Sequence, residues 1–262
     1  MDSTVDKNNW KLSDINVDSL WLIPERGKNG KHKNIYHGNF VPQIPNQLIR
    51  RYTKVGETIL ELFSGSGTTL FECEELQRDY IGFDINTDII DYVNSKMIDC
   101  TTIKYAVENV DVTNTLVFSN AIEKWLIDNK KKYVDFVIAH PPYLDIVKFT
   151  DNDRDLSNIT DIDIFIKELI KAIGCSLKYL KAGGYFAIIA GDIYKNSEVV
   201  PLAFKIMEAI KDNLNVKMKG IIIKNIEGNR GKLKTQDIWR YRALKSDYYL
   251  FKHEYIFVFK KQ

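Results

Sequence analysis

Four consecutive residues, His140-Pro141-Pro142-Tyr143, could do chemistry on a planar amino group. They follow an apolar run, Val134 to Ile138, that reads as a buried strand. Two prolines can neither continue a strand ladder nor start a normal helical turn, so the chain must leave the sheet in a stiff, extended turn. A residue before proline is held away from the helical region. His140 and Pro141 both precede a proline, so their carbonyls point in fixed directions. Tyr143 adds a flat stacking surface. Acceptors and a ring at the carboxyl end of a strand suit a planar group bearing NH2. Taken alone, the same residues also describe a proline-rich loop.

A second constellation lies upstream. Glu57 to Phe63 reads as a strand, Ser64-Gly65-Ser66-Gly67-Thr68-Thr69 as a glycine loop, and Leu70 to Leu76 as a helix. That strand–loop–helix context is what gives such a loop meaning. Its glycines permit positive φ and close approach of a ligand to the backbone, and the helix presents free N–H groups. The next strand, Tyr80 to Ile85, carries Asp84 at about the spacing that places a carboxylate on ribose hydroxyls. The loop lacks both the third glycine of a dinucleotide site and the Gly-Lys-Ser/Thr ending of a phosphate loop. A nucleoside-type cofactor is expected.

These residues need a sheet to hold them. Further strands are expected at Leu116–Asn120, Tyr185–Ala190, Val216–Ile226 and Tyr255–Phe259. Helices are expected after Asn46 and Thr87 as caps, over Ala121–Asp128, from Thr160 through Leu177 and over Val200–Ile210. The 181–184 stretch, with its two glycines, is expected to stop the long helix. The pattern is that of a mostly parallel, doubly wound α/β sheet.

Together, Leu62 to Thr69 and His140 to Tyr143 resemble the S-adenosylmethionine-dependent DNA amino-methyltransferases, which act on adenine or cytosine. The resemblance runs from about Tyr36 to the C-terminus. It implies a single-domain Rossmann-like methyltransferase fold with an antiparallel C-terminal hairpin, residues 1–35 being an extension and 36–262 the catalytic domain. It implies S-adenosyl-L-methionine as cofactor, bound by Phe63, Ser64, Gly65, Ser66, Gly67 and Thr68. Phe40 closes over the methionyl end, Glu61 lies near the methionine, Asp84 holds the ribose, and Asn120 either meets the adenine amino group or caps a helix. His140, Pro141, Pro142 and Tyr143 are the implied catalytic residues, Tyr143 stacking on a flipped base. No metal is needed. Asp192 either shapes the base pocket or caps a turn.

The sequence departs from the family at His140, where Asp, Asn or Ser is usual. A neutral imidazole can accept one hydrogen bond, whereas imidazolium can only donate. Activity is therefore expected to fall as pH drops through the His140 pKa, between weakly basic and weakly acidic pH. The substitution also removes the clue to the target base.

The chain has 262 residues, a net charge of +2 and 45% hydrophobic content, the profile of a globular protein. No run spans a bilayer, the polar N-terminus lacks a signal-peptide core, and three scattered cysteines give neither zinc spacing nor a disulfide framework. A cytoplasmic protein is expected. The 227–253 segment interleaves Arg230, Lys232, Lys234, Arg240 and Arg242 with Trp239 and several tyrosines. Phosphate contact plus base stacking calls for such a mixture, so this is the candidate target-recognition insertion. The alternative is a surface hairpin with solvated charges. DNA is the expected partner, with room for a cognate restriction endonuclease, and the chain is expected to act as a monomer or homodimer. Two other functions fit: an RNA guanine amino-methyltransferase, and an inactive nucleic-acid binding protein that holds the cofactor.

Overall fold

A computed structural model describes residues 10–33, 38–226 and 236–262. One eight-stranded sheet organises the chain, in the order β1-β9-β10-β6-β5-β2-β3-β4. Its central strands are β2 (Thr58–Glu61), β3 (Asp79–Asp84), β4 (Tyr105–Asn109), β5 (Val134–Ala139) and β6 (Leu180–Ala190), all parallel. The β9 (Val216–Asn225) and β10 (His253–Lys261) strands form the expected antiparallel hairpin, with β10 also antiparallel to β6. A two-residue strand, β1 (Leu20–Trp21), joins the edge parallel to β9, so part of the 1–35 segment enters the sheet. A separate ribbon pairs β7 (Ile193–Lys195) with β8 (Glu198–Val200).

Alternation along the strands feeds two cores. Ile59, Phe136, Ile138, Ile189 and Ile256 face helices α1 (Gln43–Tyr52), α2 (Thr68–Leu76) and α3 (Thr87–Lys96). Leu60, Val137, Phe186, Ile188 and Phe257 face α4 (Thr115–Asp128), α5 (Ile162–Tyr179) and α6 (Leu202–Asn213). Both faces of the inner strands are covered, which is why they read as continuous apolar runs.

The main correction concerns the third strand. Residues 116–120 lie in α4, whose buried Phe118, Ala121, Ile122 and Trp125 recur at helical spacing, and Asn114 caps it by accepting from the Val117 N–H. The edge strand is instead β4, where only Val107 is buried, so it carries little apolar signal. Asn120 is consequently an exposed helix residue. Other boundaries move less. Helix α1 starts at Gln43 after Pro42, which leaves Asn46 inside the helix to donate to Glu72 at 2.7 Å. Asn86 and Asp161, one residue from each expected threonine cap, accept the capping bonds. Helix α5 ends at Tyr179, and the glycine pair lies within β6, with Gly183 at φ +70°. Among the described residues no helix is long and apolar enough to cross a membrane.

After β2 the chain runs outward to β3 and β4, then returns to place β5 on the other side of β2. The strand order reverses between β2 and β5. Ligands of open α/β sheets bind at such a reversal, outside the carboxyl ends of the strands. The glycine loop follows β2 and the His140 turn follows β5, so the topology brings them side by side.

Candidate active site

A cavity of about 560 Å³ opens at that point. Phe63, Ser64, Gly65 and Thr68 from the glycine loop line it, with Phe40 and Asp84 beside them. His140, Pro141, Pro142 and Tyr143 line it from the other side. Glu61, Ser66, Gly67 and Asn120 do not line it.

The glycine loop is braced from beneath. Glu61 is buried, and its carboxyl group meets the Thr69 hydroxyl at 2.6 Å and the Tyr80 hydroxyl at 2.6 Å. Burial pushes its pKa up to about 8, against those two hydrogen bonds. Tyr80 also meets the Ser64 hydroxyl at 2.8 Å. Gly82 makes room for this cluster: a Cβ there would stand 2.1 Å from the Tyr80 hydroxyl and 2.2 Å from the Ser64 hydroxyl. Gly67 turns the chain into α2 at φ +81°, a conformation that favours glycine.

Asp84 ends β3 at the cavity. Its two carboxylate oxygens accept from the Gly65 and Asn86 N–H groups at 2.8 and 2.9 Å. Each oxygen keeps acceptor capacity for a ligand hydroxyl. Burial raises its pKa to about 6, against those N–H groups. Ser66 donates to the Asn39 side-chain oxygen at 2.8 Å, while the Asn39 Nδ2 is buried without a hydrogen-bond partner and its residue lines the cavity. An amide donor left in that state awaits an acceptor.

His140 is recessed on the opposite wall. Its Nε2 lies 3.1 Å from the Tyr143 hydroxyl, and its ring meets Phe40 edge-on at 5.0 Å. Tyr143 donates to Glu254 at 3.2 Å, and Glu254 is paired with Lys224 at 3.0 Å. Lys224 on β9 and Glu254 on β10 stand directly opposite each other and are both buried. Gly191 lets the Tyr143 ring settle, since a Cβ there would lie 2.8 Å from it. Burial drives the His140 pKa down to about 4; Glu254 opposes this and Lys224 adds to it. The imidazole is therefore neutral throughout weakly acidic and weakly basic pH. The expected loss of activity in that range is corrected: protonation belongs near pH 4. Burial and Glu254 also raise the Tyr143 pKa, so it stays a phenol.

Some site residues escaped the sequence reading. Asp111, just after β4, lines the cavity and accepts from the Thr113 N–H at 2.9 Å. A correct β4 would have pointed to it as an acid just beyond a strand. Lys224 and Glu254 carry no local motif; their signal is only that two charges fall in apolar strands. Phe149 and Arg154, after the His140 turn, also line the cavity, and Phe149 packs against Gly38. Asp192 does not line it and accepts from the Ala203 N–H at 3.1 Å, the capping alternative.

The recognition candidates divide. Arg230, Lys232, Lys234 and the side chain of Trp239 lie outside the described residues. Arg240 and Arg242 are exposed on helix α7 (Gln236–Lys245), with Tyr241 beside them and Tyr249 90% exposed beyond. Tyr248 instead packs on Tyr194 of β7 at 5.2 Å. Ile226, just after β9, lines the cavity.

Comparison with known proteins agrees with this construction. Residues 2–95 match the family model for DNA methylases, a span that takes in the glycine loop and Asp84 and ends before His140. Over 62 residues the chain is 40% identical to Type II methyltransferase M.MjaII of Methanocaldococcus jannaschii, covering 24% of this chain and 12% of that protein. Over 59 residues it is 36% identical to Type II methyltransferase M.MjaI of the same organism, covering 22% of this chain and 20% of that protein. The matched stretches thus span far less than two thirds of either relative. The crystal structure of TrmN from Thermus thermophilus shares the fold, with a TM-score of 0.53 at 14% identity, covering 86% of this chain and 50% of that one. By the glycine loop, its acid and these matches, residues 2–95 are similar to the DNA methylase family.

Proposed function

We propose that this protein transfers a methyl group from S-adenosyl-L-methionine to the exocyclic amino group of adenine or cytosine in DNA. The observation that carries the reading is one cavity, at the reversal of strand order, lined by Asp84 and by the His140-Pro141-Pro142-Tyr143 turn. Asp84 has acceptor capacity for ribose hydroxyls. The orphaned amide of Asn39 suits the polar methionyl end, and Phe40 and Phe63 give apolar walls. Held there by Asp84 and Asn39 between Phe40 and Phe63, the cofactor would supply an electrophilic sulfonium methyl to the amino lone pair, the thioether being the leaving group.

The chain's own residues prepare the amine. An aromatic NH2 is a poor nucleophile because its lone pair is delocalised into the ring. Acceptance of one N–H by His140 and the other by the Pro141 carbonyl draws the nitrogen toward a tetrahedral form and frees the lone pair. Tyr143 offers its ring to a base taken out of the duplex. Most of the rate comes from proximity and orientation. The methylated nitrogen is cationic until it loses its proton, and so far more acidic than imidazolium; even a weakly basic imidazole is a competent acceptor. The exposed Arg240 and Arg242 are the proposed phosphate contacts, together with Arg230, Lys232, Lys234 and Trp239.

The test is mass spectrometry of nucleosides from a bacterial host without DNA methylation of its own, expressing this protein or its His140→Ala variant. New 6-methyladenine or 4-methylcytosine in DNA, lost in the variant, is the expected result and names the base. Methylguanosine in RNA alone would replace this reading with an RNA enzyme. Cofactor binding with no methylated nucleoside would replace it with a binding protein.

A further inference from the structure

The structure assigns Lys224 and Glu254 as positioning residues that fix the tautomer of His140, keeping the proton on Nε2 and the lone pair on Nδ1 facing the cavity. The inference rests on the methyltransferase reading for its purpose, but its physical content stands on hydrogen bonds alone.

Donors and acceptors link Lys224, Glu254, Tyr143 and His140 in one relay. Lys224 can only donate, and it gives a proton to one Glu254 oxygen at 3.0 Å. The other Glu254 oxygen lies 3.2 Å from the Tyr143 hydroxyl. A carboxylate held by an ammonium can only accept, so the phenolic proton must point to Glu254. Tyr143 has one proton and has now spent it. At 3.1 Å from His140 Nε2, its oxygen can only accept. The imidazole therefore carries its proton on Nε2. A neutral imidazole has one proton, so Nδ1 is left as the acceptor. Among the described residues, the Tyr143 contact is the only hydrogen bond of the His140 side chain, and Nδ1 is not among the buried atoms that lack a partner. Nδ1 is thus available in a residue that lines the cavity.

The arrangement answers the departure at position 140. Asp, Asn and Ser each have an oxygen that accepts in any state; an imidazole accepts only in the right tautomer. Left alone, histidine would divide between two forms, one of which presents a donor to the amine. The hairpin pair removes that ambiguity from 84 and 114 residues away in sequence. It is also buried on adjacent strands, and leaving either partner alone would strand a charge.

Tautomers are read directly by two-bond proton–nitrogen NMR on protein labelled with nitrogen-15 histidine. The chain has four histidines, and the signal lost in a His140→Gln variant identifies the one at issue. The expected result is an Nε2–H pattern in the wild-type protein without nucleic acid. Glu254→Gln reverses the logic. Its amide oxygen still accepts from Lys224, but its NH2 now donates to the Tyr143 oxygen. Tyr143 then donates to Nε2, and the His140 pattern is expected to change to Nδ1–H. The same variant is expected to lose on the order of a hundredfold in kcat with cofactor affinity unchanged, the scale of a lost acid–base partner. An Nδ1–H pattern in the wild type overturns the assignment, and so does an unchanged pattern in a folded Glu254→Gln variant. If that variant fails to fold, the wild-type spectrum decides, with Tyr143→Phe as the second variant expected to give mixed tautomers. An Nε2–H pattern in a protein that methylates no nucleic acid upholds the hydrogen-bond assignment while the functional reading falls.

Discussion

The loop after β2 and the turn after β5 face each other across one cavity, yet they are held by different means. The glycine loop is a local structure. Glu61, Ser64, Thr69, Tyr80, Gly82 and Asp84 fall within one strand–helix–strand unit, and the side-chain hydrogen bonds that brace the loop among them join residues at most 19 apart. The His140 turn is held from a distance: Tyr143 is tied to Glu254 across 111 residues. The first half lies inside the span that matches the DNA methylase family, and the second lies outside it. A ligand site of backbone N–H groups and one acid can be encoded in a short stretch. A reactive imidazole with a required protonation state needs partners from elsewhere in the fold.

The sharpest way to break this comparison is at position 140. His140→Ala removes the acceptor and, on the cofactor side, only the edge contact with Phe40, so most of the cofactor affinity is expected to persist. Methyl transfer is expected to fall on the order of 10²–10⁴-fold, the contribution of one positioned acid–base group. His140→Asn restores an oxygen acceptor that needs no tautomer control, and most activity is expected to return. At saturating cofactor the wild-type pH profile of kcat should be flat through weakly acidic and weakly basic pH, whereas cofactor affinity should change as Asp84 takes its proton near pH 6. The acid limb of kcat should appear near the His140 pKa of about 4, where Glu254, Lys224 and Tyr143 are the polar groups that face the ring. Steady-state rates of the three proteins across pH check all of this; a titration of kcat near neutrality would contradict the buried imidazole.

Gly82→Ala tests the other half. The new methyl would stand 2.1 and 2.2 Å from the Tyr80 and Ser64 hydroxyls, and Tyr80 cannot give way without leaving Glu61, nor Ser64 without leaving Tyr80. Overpacking of this kind costs about 1–3 kcal/mol. Urea unfolding is expected to show that loss. Calorimetry should show weaker cofactor binding, because Ser64 lines the cavity. In the same variant the His140 tautomer should not change, since the two halves share none of these contacts.

The difference between the halves also explains what could be read from sequence. The buried strands β2, β3, β5, β6 and β10, the glycine loop, Asp84 and the His140 turn are all legible because each rests on local patterns: apolar runs, glycine at a turn, proline after a strand. The edge strand β4 was misplaced because an edge has only one residue in five buried, while α4 begins with Leu116-Val117-Phe118, β-prone residues that tertiary packing holds in a helix. That single slip pointed to Asn120, which does not line the cavity, instead of Asp111, which does. Glu61 was expected near the ligand, yet it lies beneath the loop, because burial of a strand-end side chain depends on which face the sheet covers. Lys224 and Glu254 were invisible for a deeper reason: their meaning is a pairing across a hairpin and a third partner in the turn after β5.

Glu61 allows the smallest and cleanest test of the local half. Its folded pKa of about 8 lies above its ordinary value of 4.5. Between those values the folded state holds a proton that the unfolded chain has released, so stability is full below about 4.5 and declines as pH rises through 8. Other shifted groups complicate the acid side. Asp84, raised to about 6, adds a decline of the same sign up to that pH, and His140, lowered from 6.5 to about 4, adds a rise over its own window. Above about 6.5 both have finished titrating, and of the three groups only Glu61 still does. Thermal or urea unfolding is therefore expected to show stability falling between pH 6.5 and 8, at no more than about 1.4 kcal/mol per pH unit for one proton. Glu61→Gln has no proton to lose and can still bond the Thr69 and Tyr80 hydroxyls, so its stability is expected to be flatter over that window. An unchanged slope in the variant would mean that Glu61 is ionised in the folded protein, and that the brace under the glycine loop is a buried carboxylate rather than a carboxylic acid.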